Sequence, residues 1–111
     1  MFHTILVPVD LTPKNRQAVE AALNIAKAYH GQVILLHVIE QIADTTRDGE
    51  LKDFYDHLEE QAETSLQALL REHKNHDIER VIVFGNRVEE ILRFAEEEDV
   101  DLIVMTSHAI D

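Results

Sequence analysis

The chain has no cysteine, no tryptophan, two prolines and three glycines in 111 residues. Without cysteine there are no disulfides, no thiolate metal ligands and no thiol nucleophile. Gly31, Gly49 and Gly85 stand too far apart to form a phosphate cradle, and neither GxGxxG nor a Walker A loop occurs. No apolar run approaches the roughly 20 residues that span a bilayer. The amino terminus has no basic lead before its first apolar run, so it does not read as a signal peptide. The expectation is a cytoplasmic protein with no membrane partner. Cations are also scarce, ten Lys and Arg against 22 Asp and Glu, for a formal net charge of -12. Binding nucleic acid needs several cations on one face, so no nucleic-acid partner is expected. A small nucleotide stays compatible with this charge, because backbone N–H groups at a helix start can hold phosphate without a basic side chain.

What is present is an alternation of apolar strands and amphipathic helices. The first strand, Thr4 to Val9, is almost continuously apolar, as parallel strands buried on both faces are. Asp10 follows it. Thr12 is a natural N-cap and Pro13 fits the first helical position. Ala18, Ala22, Ile25, Ala26 and Tyr29 then recur at helical spacing, and Gly31 is expected to close that helix in a left-handed turn. The second strand is Val33 to Ile39. After a polar stretch to Gly49, a long helix is predicted from about Glu50 to His73, its buried stripe running through Leu51, Phe54, Tyr55, Leu58, Ala62, Leu66, Leu69 and Leu70. The third strand is Val81 to Phe84. Asn86, with Glu89 three residues on, has the spacing of a capping box for a third helix whose apolar face is Val88, Ile91, Leu92 and Ala95. Glu96 to Asp99 end that helix as a solvated, fraying terminus. The fourth strand is Leu102 to Met105. This β-α-β-α-β-α-β order predicts one α/β domain over residues 1–111, an open parallel sheet with right-handed crossovers. The expected strand order is 3-2-1-4, with Ile5, Val7, Ile34, Leu36, Ile82 and Ile103 in the core.

Open α/β sheets bind ligands at the carboxyl ends of their strands. Candidate residues there are Pro8, Val9, Asp10, Val38, Gly85, Met105, Ser107 and His108. Asp10 either accepts from ribose hydroxyls or supports the Thr12 cap. Val38 and Met105 either sandwich a flat base or belong to the core. Gly85 admits a ligand close to the backbone or simply turns the chain. Ser107 binds phosphate or caps a following element. Seven histidines are present, but without an HExxH pair no metal site is expected. Ser107 and His108 are neighbours in sequence, which does not supply the geometry of a nucleophile with its base. No catalytic residue is assigned, and an enzyme is not expected.

Four blocks stand in order at a characteristic spacing. They are Ile5-Leu6-Val7-Pro8-Val9-Asp10 before an alanine-rich helix, Val33 to Ile39, Val83-Phe84-Gly85 before a helix, and Asp101 to Met105 followed by Ser107-His108. Together they resemble the universal stress protein family. The resemblance implies a flavodoxin-like sheet of the adenine nucleotide alpha hydrolase-like kind, usually a homodimer, with ATP or AMP held at the carboxyl edge in one subclass. It implies that Asp10 contacts ribose or base, that Val38 lines the adenine pocket and that Met105 contacts the base. Nucleotide-binding members carry glycines where this chain has Thr106 and Ala109. Their glycine phosphate loop, fifth strand and fourth helix would lie beyond residue 111. The ending Ser107-His108-Ala109-Ile110-Asp111 resembles a variant subgroup. The expectation is a truncated domain lacking its fifth strand, with ATP bound weakly or not at all. The alternative function is a nucleotide-independent dimerisation or protein-interaction domain.

Overall fold

A computed structural model describes residues 2–41, 50–73 and 77–106. The elements are β1 (Thr4–Pro8), α1 (Asn15–Tyr29), β2 (Gln32–Glu40), α2 (Glu50–Arg71), β3 (Ile78–Gly85), α3 (Arg87–Glu97) and β4 (Leu102–Ile103). The strands form one sheet in the order β3-β2-β1-β4, and every pairing is parallel. Leu6 stands opposite Ile34 on one side and Ile103 on the other, so β1 and β2 are the inner strands.

Near-continuous apolarity of β1 and β2 follows from helices on both faces of the sheet. Ile5, Val7, Val9, Val33 and Leu35 pack with Ala18, Val19, Ala22, Leu23 and Ala26 of α1 and with Leu66 of α2. The alternate residues Leu6, Ile34, Leu36 and Val38 pack with Ile91 of α3. The period of two along a strand divides one apolar run into two cores. Each fully buried Val, Leu or Ile contributes about 1.5–3 kcal/mol, so stability concentrates on β1 and β2.

Four of the six expected core residues, Ile5, Val7, Ile34 and Leu36, are buried; Ile82 and Ile103 are half-buried, because they lie on the two outer strands. Helix α1 begins at Asn15 rather than beside Thr12, and no side chain caps it. Thr12 is otherwise engaged: its N–H and hydroxyl both donate to Asp10 Oδ1, at 3.0 and 2.7 Å. The left-handed residue ending α1 is His30, at φ 57°, and Gly31 N–H donates to Ala26 O at 2.8 Å. Gly31 is required for a different reason, since a Cβ there would run into the Phe2 carbonyl oxygen. Tyr29, placed by its spacing on the apolar face of α1, is 43% exposed and meets Phe2 edge to face.

In α2, Tyr55, Ala62 and Leu66 are buried but Phe54 is 53% exposed. Asn86 Oδ1 accepts from Glu89 N–H at 3.1 Å, the cap expected from the sequence. The exposed acidic end of α3 is closed by backbone bonds. Asp99 takes φ 51°, and Val100 N–H donates to Ala95 O at 2.9 Å, the bond of a Schellman turn made without glycine. Asp101 then ties β4 to the start of β1. Its Oδ2 accepts from His3 N–H at 2.7 Å and Thr4 N–H at 3.0 Å, while its own N–H donates to Thr4 O at 2.9 Å. Those two backbone donors, Thr4 first, hold the Asp101 carboxyl below its ordinary value. No described helix is long and apolar enough to cross a membrane.

Candidate functional site

The carboxyl ends of β1 and β2, the start of α3 and the residues after β4 enclose a cavity of about 140 Å³. Pro8, Val9 and Asp10 supply one wall, and Leu36 and Val38 come from β2. Arg87 and Ile91 of α3 close the side towards β3, and Met105 and Thr106 the side towards β4. Mostly apolar walls with a few polar groups are the usual make-up of a small-molecule site.

The wall from β1 is held by a short network. Val9 N–H donates to Leu36 O at 2.9 Å. Val9 O accepts from His37 Nδ1 at 2.8 Å, and since a carbonyl only accepts, that nitrogen carries the proton. Leu11 has a left-handed backbone, φ 67°, in the loop whose Asp10 and Leu11 N–H groups face Asn15. Both donate to Asn15 Oδ1, at 3.1 and 2.8 Å. Asn15 Nδ2 donates in turn to Thr106 Oγ1 at 3.1 Å. Asn15 is only 2% exposed and is the buried polar residue of the described chain. A single side chain therefore fixes the loop after β1 and ties it to the chain leaving β4. The Asp10 carboxylate is half-buried and oriented by its two bonds from Thr12.

The charges at the cavity are of opposite sign and lie apart. Asp10 follows β1, whereas Arg87 follows β3, two places across the sheet. Arg87 is the one cation among the described lining residues. It pairs with Glu40, the last residue of β2, at 3.2 Å, and both side chains are more than half exposed.

A second hollow of about 580 Å³ lies on the α1 and α2 face, where Asp10, His37 and Ile39 meet His57, Gln61 and Ser65 of α2. It is wider and more open than the first. Among the described residues no group of three or more His, Asp or Glu is placed to hold a metal ion.

Of the residues singled out from sequence, Pro8, Val9, Asp10, Val38 and Met105 line the smaller cavity. Gly85 is not among its lining residues. Its φ is 149°, and a Cβ there would meet the Glu90 side chain. Ser107 and His108 lie outside the described residues. Sequence reading missed Asn15, Arg87 and Ile91 as parts of the site. Asn15 had a signal: it sits three and four residues before Ala18 and Val19, a polar residue on the apolar stripe. Arg87 had a weaker one, its place beside the Asn86 cap at the carboxyl edge.

The model of the universal stress protein family matches residues 1–111. Universal stress protein MJ0577 of Methanocaldococcus jannaschii is 30% identical over 130 residues, covering 97% of this chain and 78% of that protein. Its solved structure superposes with a TM-score of 0.78 over 99% of this chain and 78% of that one, at 30% identity. Universal stress protein UspA from Lactobacillus plantarum gives a TM-score of 0.83 at 24% identity, over 94% of this chain and 76% of that one. A universal stress protein solved in complex with cAMP gives 0.65 at 24% identity, over 92% and 74%. At 24% identity, these last two likenesses concern the fold alone.

Proposed function

The chain belongs to the universal stress protein family, and from that premise we propose that it is a non-enzymatic stress-response module whose smaller cavity takes the adenosine part of an adenine nucleotide. The observation that carries this reading is the convergence of Pro8, Val9, Asp10, Val38 and Met105 on one cavity at the carboxyl edge. Val38 and Met105 offer apolar contact to a base, and the Asp10 carboxylate accepts from a ligand N–H or O–H. The structural relative bound to cAMP is consistent with an adenine ligand on this fold. We take residues 1–111 as one domain working in the cytoplasm.

Size and charge limit which nucleotide the site holds. About 140 Å³ is below the roughly 300–1,000 Å³ of sites that enclose a whole ligand. Phosphates would project beside a protein of net charge -12. Calorimetry with adenosine, AMP and ATP tests the reading. The expected result is weak binding of adenosine and AMP that Asp10→Ala removes, with ATP no tighter than AMP. Low-micromolar ATP binding, lost in Asp10→Ala, would overturn the expectation of weak binding. No binding of any of the three at millimolar concentration would leave the second reading.

That second reading is a nucleotide-independent homodimerisation or interaction domain. It is favoured by Val88, Leu92 and Met105, which are 64%, 59% and 60% exposed. All three belong to α3 or to the chain just after β4, and β4 pairs only with β1 among the described strands. A second copy would cover both the apolar side chains and the strand edge.

A further inference from the structure

We propose that the larger hollow, on the α1 and α2 face of the sheet, is a second ligand site that takes a linear aliphatic diamine or polyamine. The smaller cavity is bounded by α3 instead, so the two sites are separate apart from Asp10, which lines both.

Volume is the first ground. About 580 Å³ falls within the roughly 300–1,000 Å³ of sites that enclose a ligand, a range the smaller cavity does not reach. The second is the mixture of surfaces. Leu11, Ile39, Leu58 and Ala62 present apolar side chains to the hollow. Beside them, His57, Gln61, Thr64 and Ser65 recur at helical spacing on one flank of α2. That flank is polar where a helix packed against its neighbour would be apolar. His37 adds an acceptor: its Nδ1 donates to Val9 O at 2.8 Å, which leaves Nε2 of the neutral ring to accept. The third ground is the sign of the charge. Asp10 and Glu60 line the hollow, one after β1 and the other on α2, and no Lys or Arg does so among the described residues. In the adjoining hollow, which shares Leu11 and Ser65, Arg16 is held by both carboxylate oxygens of Glu72, at 3.1 and 2.8 Å. A bare metal ion requires several ligands at once, and no group of three His, Asp or Glu is placed to supply them among the described residues. An ammonium group needs only one carboxylate and neutral acceptors. A linear diamine sets one ammonium against each carboxylate and rests its methylenes on the apolar residues, as a lysine stem does. Its remaining N–H groups donate to Gln61, Thr64 and Ser65.

The test is calorimetry of the whole chain with spermidine, putrescine and the uncharged counterpart butanediol, on the unaltered protein and on Glu60→Gln, Asp10→Asn, Thr64→Trp and Glu97→Gln. Circular dichroism checks that each variant folds. Glu60, Thr64 and Glu97 are exposed, and Asp10→Asn keeps the oxygen that accepts from Thr12. The unaltered protein should bind spermidine, putrescine more weakly, and butanediol not at all. Glu60→Gln and Asp10→Asn should each weaken both amines about two- to fivefold, the range of exposed ion pairs. Thr64→Trp, which fills the hollow, should remove binding. Glu97→Gln removes the same charge at the end of α3 and should leave the affinities unchanged. An equal loss in Glu60→Gln and Glu97→Gln would mean attraction to the net charge alone and would overturn the proposal. So would amine binding that survives Thr64→Trp, butanediol bound as tightly as putrescine, or no binding of either amine at millimolar concentration.

Discussion

Replacing Asn15 by alanine removes three hydrogen bonds at one buried point. The Asp10 and Leu11 N–H groups lose their acceptor, and Thr106 Oγ1 loses its donor. Asn15 itself is only 2% exposed, and the bonds it makes are part-buried. Each bond contributes about 0.5–1.5 kcal/mol, and a donor left buried and unpaired costs about 1–3 kcal/mol. The Thr106 hydroxyl can rotate to another partner, so the two backbone donors dominate, and the expected loss is about 2–4 kcal/mol. In urea unfolding this appears as a lower midpoint with an unchanged slope. In a thermal scan of a domain of this size it appears as a fall of about 8–16 °C. Asn15→Asp separates hydrogen bonding from charge. It keeps the acceptor for both backbone donors but buries a carboxylate beside Asp10. Burial raises the pKa of such a carboxylate in the folded state. Its penalty is therefore full at neutral pH and shrinks as the pH falls through that raised value. Asn15→Asp should recover stability relative to Asn15→Ala on acidification. A loss below about 0.5 kcal/mol in Asn15→Ala, the range of ordinary surface substitutions, would refute the account of Asn15 as the brace of the site.

Other outcomes follow from single features of the fold. Gly31→Ala should destabilise by about 1–3 kcal/mol, because the new Cβ meets the Phe2 and His3 carbonyl groups, which are backbone and cannot move aside. His30→Gly should stabilise by up to about 1 kcal/mol by relieving the left-handed His30; chemical denaturation measures both. Asp101 has its pKa lowered by the Thr4 and His3 N–H groups, so its contribution is present above the ordinary value of 3.8 and is lost as the pH falls through the lowered one. Asp101→Asn should accordingly narrow the stability difference between neutral and acid pH, and an unchanged pH profile would remove that assignment. Self-association through the α3 and β4 side should be disrupted by Val88→Asp with Leu92→Asp. Light scattering showing a monomer for the unaltered chain at high micromolar concentration would count against such an interface.

The residues expected at the carboxyl edge and those that line the cavity differ for an identifiable reason. Pro8, Val9, Asp10, Val38 and Met105 were legible as cavity-lining candidates because each lies at or near the carboxyl end of a strand, and parallel strands linked by right-handed crossovers deliver their carboxyl ends to one edge. Asn15 and Arg87 were not, because they belong to helix starts. The role of Asn15 depends on the loop before it, whose Asp10 and Leu11 N–H groups donate to its side chain, and that of Arg87 on its place beside the Asn86 cap after β3. Thr12 stands outside α1, which starts at Asn15, and its hydroxyl donates to Asp10 Oδ1.

Apolar periodicity by itself determined the strands, the helices and their parallel arrangement, because burial of Ile5 to Val7 and Val33 to Leu36 outweighs any local preference. The sequence also determined the cap at Asn86, a contact within one turn of helix. Tertiary structure alone decided which part of each apolar stripe is covered. Ile91 reaches β1 and β2 while Val88 and Leu92 stay exposed. It also decided why Gly31 is glycine, through the approach of the Phe2 carbonyl, which precedes β1 where that strand starts beside β2. Tertiary structure likewise brought Thr106 to Asn15, 91 residues away in the chain. Contacts of that separation leave no periodic trace in a sequence, because the distance between their partners is set by the packing of the sheet and not by the repeat of any one element.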